Sequence, residues 1–142
     1  MEIINRMKEG LTGPIVENVA VAVVQELSEN NEFIYNAYLL NLRDDIMEGI
    51  IISVTGYGKN PQSGEQLKTA TLRHSLEVLL PNEAAKIEPM MEEVFAIDNE
   101  FWISFWVNDD LFDKKFVFPS GTIDPLKMEL IPLLGFKGSL LK

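Results

Sequence analysis

The chain has 142 residues, no cysteine and a formal net charge of −10 at pH 7. Its length fits one domain with one core, and the lack of cysteine excludes disulfides, thiolate metal ligands and a cysteine nucleophile. The acidic surface repels a phosphate backbone at long range, so we do not expect nucleic acid as a partner.

The N-terminal residues lack the apolar stretch of a signal peptide. No segment of the chain has an apolar run long enough to span a membrane. We therefore expect a cytoplasmic protein with no membrane partner. The expected organisation is a single domain over residues 1–142, in which residues 1–13 form a short helix or a loose arm.

Several segments have the apolar pattern of β-strands. Residues 15–27 contain an unbroken valine-rich run, which predicts a strand covered on both faces. Residues 68–80 alternate apolar and polar side chains, which predicts a half-buried strand with His74 on the apolar face and Arg73 on the other. Further strands are predicted over 33–43 and 49–57 and near 135–140.

Residues 100–118 predict a hairpin that turns around Asn108-Asp109-Asp110. An even loop places Phe101, Ile103 and Phe105 on the same face as the aromatic residues that follow the turn. Trp102 and Trp106 then lie on the opposite face, so both faces of the first strand are apolar.

Residues 81–97 change period and predict a helix. Ala84, Ile87, Met91 and Val94 fall on one helical stripe, and Pro89 predicts a kink or a break. The predicted fold is therefore α+β, a mainly antiparallel sheet of about six strands with this helix packed on one face. A partly closed β-barrel is the alternative.

Short segments spread along the chain carry a family resemblance. They are Asn36-Ala37-Tyr38, Arg43-Asp44, Gly56-Tyr57, Thr71-Leu72-Arg73-His74, Asn99-Glu100-Phe101 and Lys114-Lys115-Phe116-Val117-Phe118. With them the chain resembles a small family of uncharacterised bacterial proteins of similar length, some of which carry the label of a phenylalanyl-tRNA synthetase subunit. The chain shows none of the class II synthetase motifs that build an ATP site. The resemblance implies a shared fold and no established activity, with a tRNA-related role as one alternative.

Few residues qualify as candidates for a site. His74 is the only histidine, and a histidine can act as a general base because its charge responds to burial and neighbouring charges. A ligand site near it would gather His74, Arg73 and Tyr57, although a bulge would be needed to bring Arg73 and His74 together. One histidine and no cysteine leave only carboxylates as further strong ligands, so we expect no metal. No nucleotide-binding motif rises above background, and we expect no cofactor.

The two tryptophans are the candidates for an interface. Something must cover the face that carries Trp102 and Trp106, either the predicted helix or a partner. The leading hypothesis is a non-catalytic binding or assembly protein that forms a homodimer or other homo-oligomer. A small enzyme or ligand-binding protein with a site near His74 is the alternative from another class.

Overall fold

The computed structural model describes residues 14–59 and 62–142. The predicted arm over residues 1–13 lies outside the described residues. Within the described part the chain forms ten strands: β1 (Val19–Leu27), β2 (Phe33–Asn41), β3 (Met47–Lys59), β4 (Gln66–Lys68), β5 (Leu72–Leu79), β6 (Ala84–Met90), β7 (Asp98–Val107), β8 (Asp110–Phe118), β9 (Glu129–Ile131) and β10 (Phe136–Leu141).

The strands form two antiparallel sheets packed face to face. Sheet A has the order β6-β2-β1-β10-β9, and sheet B has the order β4-β3-β7-β8, with β5 also paired to β3. Strand β3 is 13 residues long, so β4 and β5 both fit along the edge of β3 that faces away from β7. Every pairing is antiparallel, and neither sheet closes on itself among the described strands.

The prediction of an α+β fold is wrong, and the barrel alternative fails as well because the sheets stay open. The predicted helix over 81–97 is strand β6 followed by a short 3₁₀ helix, Glu92–Ala96. The described residues contain one other helical segment, the 3₁₀ helix Pro125–Lys127. None of these residues forms a helix with the length and apolar character needed to cross a membrane.

A β-bulge explains why residues 84–90 have a helical pattern. The pairing of β2 with β6 shifts between Ala37 and Tyr38, which face Glu88 and Lys86, so Ile87 is the extra residue. A bulge interrupts strict alternation and places apolar side chains three positions apart, as on a helix. Strand β6 lies at the edge of sheet A, where a residue such as Pro89 is tolerated.

The core lies between the two sheets and is supplied by alternate residues of each strand. Phe101, Ile103 and Phe105 of β7 are fully buried there, opposite Val21 and Val23 of β1. The predicted hairpin register is confirmed, because Phe101 faces Phe116 and Phe105 faces Phe112 across β7 and β8. Strand β1 is buried on both faces, as its valine-rich run predicts.

Strand β5 departs from the predicted half-buried state. Of its apolar side chains, Leu72 and Val78 are exposed and only Leu79 is fully buried. The strand pairs with β3 alone, so it forms an edge of sheet B. Its apolar and polar residues alternate as in a strand, but the alternation does not mean that the apolar side chains are deeply buried.

Candidate basic cleft on sheet B

A cleft of about 770 Å³ opens on the outer face of sheet B. Its wall combines side chains from β3, β4, β5 and β7 with Thr71, which precedes β5. We call it the basic cleft, and its lining residues are Ser53, Thr55, Tyr57, Gln66, Leu67, Lys68, Thr71, Arg73, Glu100 and Trp102.

Strand register brings these residues together from distant parts of the sequence. Tyr57 of β3 faces Lys68 of β4, and Ser53 faces Arg73 of β5 on one side and Trp102 of β7 on the other. Directly paired residues project from the same face of a sheet. Two cations and two aromatic rings therefore share one surface.

The two cations of the cleft are not neutralised by the chain itself. Neither the Arg73 guanidinium nor the Lys68 ammonium has an ion-pair or hydrogen-bond partner among the residues that the structure describes. The one acidic group of the wall, Glu100, is engaged by Tyr57 and lies 3.9 Å from the Lys115 ammonium. The free charge of the cleft is therefore positive, on a chain whose net charge is −10.

Each of the two aromatic residues of the cleft has a charged neighbour. The Lys115 ammonium lies 5.6 Å from the centre of the Trp102 ring, a distance at which a cation is attracted to the face of an indole. The Tyr57 hydroxyl donates a hydrogen bond of 3.3 Å to the Glu100 carboxylate. Both rings remain at the wall of the cleft, where a flat ligand group can stack on them.

The Tyr57 hydroxyl keeps its proton to a higher pH than an ordinary tyrosine. Burial raises its pKa, and the negative charge of Glu100, the hydrogen bond to Glu100 and the charge of Asp98 raise it further. At neutral pH the cleft therefore presents Tyr57 as a neutral hydrogen-bonding group rather than as an anion.

Replacing Glu100 with glutamine should lower the pKa of Tyr57 towards its ordinary value, because the negative charge that opposes ionisation is removed. The tyrosine ring carbon signals in an alkaline NMR titration measure the change. Tyr38, whose pKa is raised by burial and by Glu26, is the internal control and should keep its pKa. A Tyr57 pKa that is unchanged in Glu100→Gln would contradict the role given to Glu100.

The raised pKa also makes the stability of the fold depend on pH, because the folded protein holds the Tyr57 proton more tightly than the unfolded chain does. The contribution of Tyr57 to the free energy of unfolding is present below the pKa of the unfolded chain and is lost as the pH rises through the folded pKa.

His74 does not join the cleft. Its Nε2 lies 2.7 Å from the Glu88 carboxylate of β6, so it links the edge of sheet B to the edge of sheet A. The structure thus brings Arg73 and Tyr57 together and places His74 on the other side of β5.

The predicted interface residues have different surroundings. Trp102 belongs to the basic cleft and is half-buried, whereas Trp106 is 42% exposed and lies over Gly49, a residue with φ of +54°. The suggestion that the helix over 81–97 covers this face is wrong, because that helix does not form and β6 belongs to sheet A. Leu111 faces Trp106 across the hairpin and is also exposed.

The described acidic residues do not form a metal centre. No group of three or more histidine, aspartate or glutamate side chains in the described ranges is arranged to hold a metal ion. Asp45 binds the Arg43 guanidinium through two contacts of 2.7 and 3.1 Å, and this partner lowers the pKa of the Asp45 carboxyl.

The sequence predicts Tyr57, Arg73 and Trp102 as candidates but leaves out Lys68 and Glu100. Lys68 stands in a three-residue strand after a Gly- and Pro-containing loop, and nothing in its local pattern shows which strand it joins. Glu100 lies near the start of β7, next to Phe101, and has the pattern of an ordinary solvent-facing residue. Both become site residues only through pairing with β3.

Comparisons with known proteins give no relative. No family model, no curated protein and no solved structure matches this chain. The resemblance to a small bacterial family therefore stays a prediction.

Proposed function

We propose that this protein is a non-catalytic binding protein whose basic cleft holds a small anionic ligand that carries a flat ring. The observation that supports it best is the pair of unpartnered cations, Arg73 and Lys68, beside Trp102 and Tyr57 in one cleft. A cytoplasmic location remains the expectation from the sequence.

The charges favour an anionic group as the bound part of the ligand. Ser53 and Tyr57, which face Arg73 and Lys68, are four positions apart on β3, a span of roughly 13 Å. Two long side chains can converge on one carboxylate or phosphate over that span. Arg73 offers a planar fork of donors that matches such a group, and Lys68 adds a point charge.

The same charges favour a small ligand over a polyanion. The chain as a whole carries −10, so a long phosphate backbone meets repulsion everywhere outside the cleft. A single phosphate or carboxylate meets the two local cations with little of that cost. The Trp102 and Tyr57 rings then account for the flat part of the ligand by stacking.

Binding rather than catalysis is the activity that the placement of side chains supports. His74, the one histidine of the chain, is paired with Glu88 away from the cleft. The remaining polar groups of the wall suit the holding of a ligand: Thr55 and Thr71 share a hydrogen bond of 2.8 Å between their hydroxyls, which fixes the floor beside Arg73.

Replacing Arg73 or Lys68 with alanine should weaken binding of phenyl phosphate by about 10- to 100-fold, the value of one charge-assisted hydrogen bond. Tryptophan fluorescence and the indole N–H signals in NMR follow the titration. Benzyl alcohol, which has the ring but no charge, should bind far more weakly to the unmodified protein.

Lys86→Ala is the matched control, because Lys86 is an exposed lysine on β6 of the other sheet. It should bind phenyl phosphate as the unmodified protein does. Equal loss in Lys86→Ala and Lys68→Ala would show a general charge effect and would overturn the cleft. A complete lack of response of the Trp102 indole signal to both anionic and uncharged rings would do the same.

A further inference from the structure

Two surface features separate from the basic cleft suit a contact between copies of the chain. The first is the segment 124–127, which we call the Leu126 loop. Leu126 is 95% exposed at the centre of the 3₁₀ helix Pro125–Lys127. A single exposed leucine is common on protein surfaces, so the loop matters only if the chain also offers a place for it.

Two hydrogen bonds fix the backbone turn of the Leu126 loop, although its central side chain touches solvent. The Asp124 carboxylate accepts a hydrogen bond of 3.0 Å from the Leu126 amide, and the Lys127 amide donates one of 2.9 Å to the Asp124 carbonyl. Pro125 fixes the backbone between them. A partner that buries Leu126 therefore has little of the loop backbone left to order.

A pocket of about 300 Å³ lies between the two sheets, at the open edge beside β5 and β6. We call it the inter-sheet pocket. Its wall is mainly apolar and includes Leu72, Met90, Met91 and Val94. Met91 is 66% and Leu72 50% exposed at its mouth. Methionine side chains adapt their shape to an entering apolar group, so the pocket suits a branched aliphatic side chain.

Charges beside the loop and beside the pocket are complementary. Lys127 follows Leu126 directly, and the exposed Glu92 and Glu93 stand between Met91 and Val94, which both line the pocket. In the described part of the chain none of these three side chains has an ion-pair partner. A leucine that enters the pocket with its neighbouring lysine at the rim therefore satisfies an apolar and an ionic contact together.

We propose that the inter-sheet pocket of one copy receives Leu126 of a second copy, with Lys127 of the second copy against Glu92 and Glu93 of the first. A pair formed in this way is a homo-oligomer of the kind expected from the sequence, and the contact does not depend on the basic cleft. Loop and pocket are different surfaces of the same chain, so copies can close into a pair that exchanges loops or continue as a head-to-tail series. One leucine in one pocket is a small interface, so we expect weak association that needs a high protein concentration.

Sedimentation equilibrium over a concentration series tests the contact on the whole protein. The mean mass of the unmodified protein should rise with concentration. Leu126→Asp and Met91→Asp should each lower the association constant by at least about 10-fold, which is the effect of losing one buried leucine. Leu130→Asp, which changes an exposed leucine elsewhere, should associate as the unmodified protein does.

An equimolar mixture of Leu126→Asp and Met91→Asp separates this contact from a general loss of solubility or fold. The first variant keeps its pocket and the second keeps its loop, so the mixture should regain association that neither shows alone. If Met91→Asp fails to fold by circular dichroism, Leu72→Asp blocks the mouth of the same pocket and takes its place.

Three results would overturn the proposal. The unmodified protein could stay a monomer at every concentration, or Leu126→Asp could associate normally, or the mixture could stay monomeric when each variant does. Loss of association in Trp106→Ser but not in Leu126→Asp is a form of the second result and would place the interface at Trp106 instead.

Discussion

Replacing Phe101 with alanine should lower the free energy of unfolding by about 3–5 kcal/mol. Phe101 is fully buried at the centre of β7, faces Phe116 across the hairpin and meets the Phe118 ring edge to face with 5.9 Å between ring centres. Truncation removes apolar area from the core and leaves a cavity that two anchored sheets cannot close. Urea unfolding followed by tryptophan fluorescence measures the loss.

Phe33→Ala is the matched control for that experiment. Phe33 begins β2 and is 64% exposed, so the same truncation should change the free energy of unfolding by no more than about 0.5 kcal/mol. Equal losses in the two variants would contradict the placement of the core between the sheets.

Replacing Asn41 with alanine should lower the free energy of unfolding by about 2–4 kcal/mol. Asn41 is fully buried at the end of β2. Its side-chain amide donates hydrogen bonds of 3.0 Å to the carbonyls of Asp45 and Leu79, and its side-chain oxygen accepts one of 2.9 Å from the Arg43 amide. Alanine leaves the Leu79 carbonyl without this partner at a buried site, and it removes the partners of the Asp45 carbonyl and the Arg43 amide at a partly buried one.

Asn41→Asp tests the donor role without a change of size. A carboxylate cannot donate to the carbonyls of Asp45 and Leu79, so this variant should be at least as unstable as Asn41→Ala at neutral pH. Acidification should restore part of the loss, because a protonated carboxyl donates one hydrogen bond. Asn30→Ala, at an exposed turn, is the control and should stay within about 0.5 kcal/mol of the unmodified protein. Full stability of Asn41→Asp at neutral pH would refute this account.

The two proposed surfaces use different parts of the sandwich and can be tested independently. The basic cleft lies on the outer face of sheet B, and the inter-sheet pocket opens between the sheets beside the His74–Glu88 pair. A protein that binds phenyl phosphate but stays monomeric would keep the first proposal and lose the second. The reverse result would keep the contact between copies and remove the cleft.

The strands with regular alternation or unbroken apolar runs were predictable from the sequence. Alternate residues of a strand point to opposite faces, so Phe101, Ile103 and Phe105 predict a buried face. The turn after Val107 then fixes the register, and with it their neighbours on the next strand. The unbroken valines of β1 likewise predict a strand buried on both sides. Such signals are local, and local periodicity survives in the sequence whatever the strand pairs with.

Residues 84–90 show where local pattern fails. The bulge at Ile87 gives a strand the spacing of a helix, and only pairing with β2 distinguishes the two. Local pattern does not predict the basic cleft either, for a related reason. Its residues Tyr57, Lys68, Arg73 and Trp102 come together because β4, β5 and β7 all pair with β3. Where apolar residues alternate regularly or run without a break, the sequence alone determines which residues form a strand and which of its faces are apolar. Only the tertiary structure decides which strands are neighbours, because pairing between distant segments depends on the packing of both sheets and leaves no periodic signal in the chain.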